Sequence, residues 1–185
     1  MPMESKPSLK KTKAEGRQLW VAFGSTLIVL LGVLAVWPWL RTVIWPHQEV
    51  ELYFSKPQGL YLGSETRKIN TSRKPLPCQV VGALLCGPQS DKLKSSIPQG
   101  TKLLGVEVKG NVAYVDLSEE FAANIVDKRQ AVLALYSIVN TLAGLEGIEK
   151  VQILINGEIR QNLYGDLEIG QPLGADRSLI VRAGD

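Results

Sequence analysis

The chain has 185 residues, of which 45% are hydrophobic and 21% charged, and a formal net charge of +3. That length holds one ordinary domain plus an appendage. The net charge hides a split: Lys6, Lys10, Lys11, Lys13 and Arg17 face only Glu4 and Glu15 in the first 17 residues, whereas residues 46–185 carry 15 basic against 16 acidic side chains. The larger part is therefore near neutral, which excludes a strongly electropositive nucleic-acid binder. Two cysteines exclude a disulfide-dense mini-protein, and the apolar content excludes a disordered chain.

The first element is an uncharged run of 23 residues, Gln18 to Leu40. As a helix it spans about 34 Å, against a hydrocarbon core of about 30 Å. Trp20 lies at one end and Trp37, Trp39 and Trp45 at the other, the pattern of rings held at headgroup level. The run is too long for a cleaved signal peptide, and Ala35-Val36-Trp37 puts a bulky residue where cleavage needs a small one. The expectation is an uncleaved signal-anchor helix over 18–41, with residues 1–17 as a cytoplasmic basic tail. By the positive-inside rule the rest lies outside the membrane. A linker over 42–49 then leads to one extracytoplasmic domain over 50–182.

Within that domain, Val50 to Phe54 reads as a strand from its β-branched and aromatic content. A second extended piece, Leu60–Leu62 and Glu65–Ile69, pairs with it across a Lys56–Gly59 turn. Pro77 opens a helix that buries Val80, Val81, Leu84 and Leu85 and stops at Gly87-Pro88. Gly110-Asn111 is a two-residue hairpin turn between Lys102–Lys109 and Val112–Leu117. Alternation places Leu104, Val106 and Val108 on one face of the first arm, and Ala113, Val115 and Leu117 on one face of the second. Asp127 with Gln130 is a capping-box pattern ahead of a helix ending near Leu142, with Ala131, Leu135, Ile138, Val139 and Leu142 as its apolar stripe. Gly144 or Gly147 stops it. Val151, Ile153 and Ile155 alternate along a strand ending at the turn Asn156-Gly157, and the tail is expected to hold an extended segment or a last strand around Leu179–Val181. The order β-β-α-β-β-α-β predicts an α+β fold with two helices on one face of a small sheet.

Few residues point to chemistry. His47, the only histidine, has no nucleophile nearby in sequence and reads as a solvated side chain. Two cysteines and that histidine offer no metal-ligand spacing. Cys78 and Cys86, eight apart on one helix, are separated by about 12 Å along its axis, beyond the roughly 7 Å a disulfide tolerates. They are expected to be free and to pack as small buried apolar residues. Asp116, Glu119 and Glu120 are the candidates for a glycosidase-like pair, but acids at a strand end and helix start favour the helix dipole, which is the preferred reading. Glu65, Arg67 and Lys68 read as a solvated charged edge. No catalytic, cofactor-binding or metal residue is assigned, no cofactor is expected, and the chain is not expected to be an enzyme.

Three stretches carry a resemblance: Val50–Ile69 with its Glu65-Thr66-Arg67 ending; Val81–Phe121 with "LLxGP", "IPxGT" and "VDLS"; and Leu135–Glu158. In this order and spacing they resemble the GerMN domain of bacterial sporulation and germination proteins, in a single copy behind the anchor. Cys86 departs from the small or polar residue usual there. The resemblance implies a ring-building-module-like fold with a small mixed sheet. It also implies an extracytoplasmic binding or assembly role in the cell envelope. The expected function is a membrane-anchored protein-interaction module; the alternative is a cell-wall-acting enzyme or peptidoglycan-ligand-binding domain. The expected partners are envelope or membrane proteins, further copies of the chain, the bilayer through residues 18–41, and peptidoglycan; nucleic acid is excluded.

Overall fold

The structure, a computed structural model, describes residues 47–71 and 75–181. The expected membrane span lies outside the described residues, and among those described no helix is long and apolar enough to cross a membrane.

Strands β1 (His47–Ser55) and β2 (Leu62–Asn70) form an antiparallel ribbon in continuous register from His47↔Asn70 to Ser55↔Leu62. The turn is closed by Lys56 N–H on Tyr61 O (2.9 Å) and Gly59 N–H on Lys56 O (2.8 Å), with Gly59 at φ 66°, a region glycine enters at little cost. Val50, Leu52 and Phe54 alternate onto the buried face. Helix α1 (Leu76–Leu85) follows, with Pro77 in its first turn and Val80, Val81 and Leu84 buried. Proline fits there because the first-turn N–H groups have no intrahelical partner. Gly87, at φ 85°, turns the chain away after the helix.

The second sheet has the order β3-β4-β5-β6. Strands β3 (Leu103–Lys109) and β4 (Val112–Leu117) make the expected hairpin, with Gly110 at φ 60°. After a single helical turn, α2 (Glu120–Ala123), comes helix α3 (Lys128–Leu142). Asp127 caps α3 by accepting from Gln130 N–H (2.7 Å), while Gln130 Oε1 accepts from Val126 N–H (2.9 Å). The return strand β5 (Lys150–Ile155) therefore runs parallel to β4, because a helix-length crossover separates them. Asn156 (φ 51°) and Gly157 (φ 82°) form the predicted turn, and the short β6 (Leu173–Gly174) pairs antiparallel with β5.

Three expectations need correction. There are two sheets where one was expected, and both α1 and α3 contact each of them. The reason lies on the outer edge of β1. Tyr53 N–H donates to Thr141 Oγ1 (3.0 Å), and Tyr53 O accepts from Ser137 Oγ (2.6 Å), hydroxyls one helical turn apart on α3. Beyond them Ser55 exchanges both backbone hydrogen bonds with Lys94. An edge whose donors and acceptors are already satisfied has no ladder to offer another sheet.

Next, the residues of β3 that pack on the core are Leu103 and Val106, opposite the fully buried Leu117 and Val115, whereas Val108, opposite Ala113 near the hairpin tip, is 43% exposed. The register shifts between Leu103 and Gly105, so Leu104 stands out of phase and is 53% exposed. One inserted residue moves a side chain to the other face. Finally, the last strand is β6, whereas residues Arg177–Leu179 form a 3₁₀ turn, with Ile180 bridged to Leu62.

The α3 stripe Ala131, Leu135, Ile138, Val139 and Leu142 is buried as predicted, and Ser137, Asn140 and Thr141 are buried beside it. Replacing Thr141 with Val keeps its shape but strands the Tyr53 N–H. A buried donor left without a partner costs about 1–3 kcal/mol. Thr141→Val is therefore expected to lower the unfolding free energy by that amount in equilibrium denaturation, with an earlier midpoint, and Ser137→Ala to do the same through Tyr53 O.

Candidate functional site

The residues singled out for chemistry are mostly engaged in holding the fold. Asp116 Oδ1 accepts from Gly157 N–H (2.7 Å), fixing the Asn156-Gly157 turn against β4. Glu119 pairs with Arg160 across the same region. The Ser118 hydroxyl holds the Glu120 carboxylate below its usual range. These three acids thus serve a turn, an ion pair and a strand end, and Ser118 also accepts from Lys102 N–H (2.9 Å). His47 is exposed at the start of β1. Cys78 and Cys86 are free as expected, but Cys86 is exposed at the end of α1 and Cys78 half-buried, so neither is the buried apolar residue expected. Helix α1 ends at Leu85, and Cys86, the residue that caps it, faces solvent. Among the described residues no group of His, Cys, Asp and Glu could hold a metal ion.

Glu65 and Arg67 depart furthest from the sequence reading. Both lie opposite Leu52 and Val50 on the core-facing side of the ribbon, with side chains only 13% and 12% exposed, whereas Lys68 points outward and is 71% exposed. The two form an ion pair. Arg67 donates to Ala83 O (3.1 Å) and Gly87 O (3.0 Å) at the end of α1, and Glu65 accepts from Gln89 N–H and Ser90 N–H. The guanidinium also lies 5.8 Å from the centre of the Phe54 ring. The Glu65-Thr66-Arg67 and Leu84–Pro88 segments, apart in sequence, thus form one junction. Alternation counted from Val50 would have found it, because the inward phase of β1 fixes that of β2.

A cleft of about 600 Å³ opens at the C-terminal end of α3. Glu51 and Tyr53 come from the outward face of β1 and Ser64 from β2; Asn140 comes from the last turn of α3, Ala143 and Gly144 from the residues just after it, and Ala175, Arg177, Ile180 and Val181 from the closing segment. The Glu51 carboxylate accepts from the Tyr53 hydroxyl (2.9 Å) and from the Ser64 hydroxyl (3.2 Å). Burial, then the Glu51 hydrogen bond, pushes the Tyr53 phenol up to about 12. Asn140, only 3% exposed, fixes the far wall by donating to Asp176 O (2.9 Å) and accepting from Asp176 N–H (2.8 Å). Its amide thereby acts as a strand-like partner for a segment without a sheet of its own. No pattern in the sequence marks this wall, because the cleft depends on a closing segment with no periodicity.

Two outcomes follow. A phenol whose folded pKa exceeds its unfolded one stabilises fully below the unfolded value and loses that contribution as pH rises through the folded value. For Tyr53 the window runs from pH 10 to about 12. Ultraviolet titration of the five tyrosines should show its last phase near the top of that window, and Tyr53→Phe should remove it while leaving Tyr136, which burial also raises. Arg67→Met leaves Glu65 as a largely buried unpaired charge, and breaking such a pair costs about 3–5 kcal/mol. Thermal unfolding of Arg67→Met should show that loss, and Lys68→Met at the outward neighbour should show almost none.

A family model described as Germane, sporulation and spore germination, matches residues 51–161, more than half of the chain. Among solved structures, the tandem GerMN domains of the sporulation protein GerM from Bacillus subtilis are similar at 24% identity and a TM-score of 0.60. That match covers 69% of this chain but only 46% of the tandem chain. The first GerMN domain of the same protein is similar at 25% identity and a TM-score of 0.60, covering 69% of this chain and 97% of the domain. A candidate lipoprotein from Clostridium perfringens is similar at 26% identity and a TM-score of 0.50, covering 69% and 87%. No curated protein gives a significant match. The landmarks that the family model spans are the turns, caps and ion pair that join the ribbon, α1 and the second sheet, and the chain belongs to the Germane family of sporulation and spore germination domains.

Proposed function

We propose that this chain is a membrane-anchored, extracytoplasmic interaction module of an envelope assembly, with binding rather than catalysis as its task. The observation that carries the reading is the placement of a Germane domain directly after an uncharged 23-residue run preceded by five basic residues. A run of that length and flanking charge suits a single-pass anchor with the N-terminus in the cytoplasm. The candidate lipoprotein among the similar structures supports an envelope location. The binding reading is supported by the engagement of Asp116, Glu119 and Glu120 in structural contacts. Anchoring raises the effective concentration of the domain near membrane partners, so a weak interface suffices.

The exposed Cys86 provides the test of topology. A membrane-impermeant maleimide is expected to label the protein in intact cells and to label Cys86→Ser far less. Labelling only after lysis would overturn the anchor orientation. For the task itself, the full-length protein is incubated with insoluble peptidoglycan. Co-sedimentation or its absence is compatible with a binding module, whereas release of soluble muropeptides is not.

A further inference from the structure

The cleft at the end of α3 carries two opposite charges that do not meet. Glu51 is held in place by the Tyr53 and Ser64 hydroxyls, both of which donate to its carboxylate and leave its negative charge in place. Arg177 lines the same cleft; its carbonyl accepts from Ile180 N–H and its charge is felt at the Tyr53 phenol, but among the described residues its guanidinium makes no hydrogen bond and no ion pair. Neither group sits there by chance of a loose chain. Glu51 belongs to a nine-residue strand in continuous register. Arg177 starts a 3₁₀ turn whose preceding residue, Asp176, is gripped by the Asn140 amide through two hydrogen bonds and caps the turn by accepting from Ser178 N–H (2.9 Å).

We infer that this cleft binds a zwitterionic small ligand of the amino-acid or short-peptide class, because Glu51 and Arg177, which form no ion pair among the described residues, stand on separate walls of one cavity. The ligand ammonium sits on Glu51 and its carboxylate on Arg177, with Ile180 and Val181 as the apolar part of the wall. A cavity of about 600 Å³ suits a ligand of that size. Electrostatics select the class. An anion alone meets Glu51 and the carbonyl end of α3, and a cation alone meets Arg177; a ligand carrying both charges satisfies each. The carbonyl end of α3, at Ala143 and Gly144, adds to the attraction for the ammonium. Tyr53 and Ser64 are positioning residues that set the carboxylate direction. The inference goes beyond the anchored-module reading and holds whichever side of a membrane the domain occupies.

The test uses the full-length protein in detergent micelles, with alanyl-alanine and trialanine as probes in isothermal titration. Each is compared with its N-acetylated and C-amidated derivatives. The expected result is binding of at least one free peptide, weakened about tenfold (about 1.4 kcal/mol) by blocking either end. Glu51→Gln should lose about the same factor for the free peptide while binding the acetylated form as the unchanged protein does. Arg177→Gln should show the matching insensitivity to amidation. Both side chains are exposed, so both variants are expected to melt like the parent chain. Binding of neither free peptide overturns the inference, as does equal binding of free and blocked forms by the unchanged protein, which needs no variant to interpret.

Discussion

The outer edge of β1 must have its backbone groups satisfied, and the way this is done shapes the rest of the domain. Thr141 and Ser137 supply a donor–acceptor pair to Tyr53 from one face of a helix. Because a helix and not a strand occupies that edge, the ribbon β1–β2 stays a separate sheet, and α3 must be apolar or hydroxyl-bearing on more than one side. That explains why ten of its residues are buried, where a surface helix would bury only a stripe. The same placement brings the last turn of α3 beside the outward face of the ribbon, which is where the cleft opens.

Much of this was legible from residue order. The turns Gly110-Asn111 and Asn156-Gly157, the Asp127 cap and the apolar stripe of α3 each obey local rules, and each is found in place. What escaped were non-local decisions. A bulge at Leu104 changes which residues of β3 face inward, and no local signal distinguishes Leu103 from Leu104. The inward turn of Glu65 and Arg67 was hidden by their charge, since a charged pair in a strand suggests solvent unless the phase of the partner strand is imposed.

The candidate site was least legible of all, for a related physical reason. Its walls combine three strand residues, the end of a helix and a segment from Ala175 to Val181 that lacks either strand or α-helical periodicity. Such a segment takes its conformation from its partners, here the Asn140 amide and the Leu62 carbonyl, which accepts from Val181 N–H at 2.9 Å. Family landmarks point toward the joints of the fold, and the cleft lies partly beyond them: Ala175 to Val181 falls outside the matched residues 51–161.

The bonds from α3 to Tyr53 also set the order in which the domain can assemble. The β1–β2 ribbon and the β3–β4 hairpin close over short turns, so each forms early and cheaply in chain entropy. The hydroxyls of Ser137 and Thr141 instead reach back 84 and 88 residues. Contacts so distant in sequence slow the search for the native state, because the entropy of closing the intervening loop is lost before the contact rewards it. Until α3 docks, the outer edge of β1 stays open to pairing with another chain. The interval between ribbon closure and helix docking is therefore when this domain is most exposed to aggregation, and two hydroxyl groups end it.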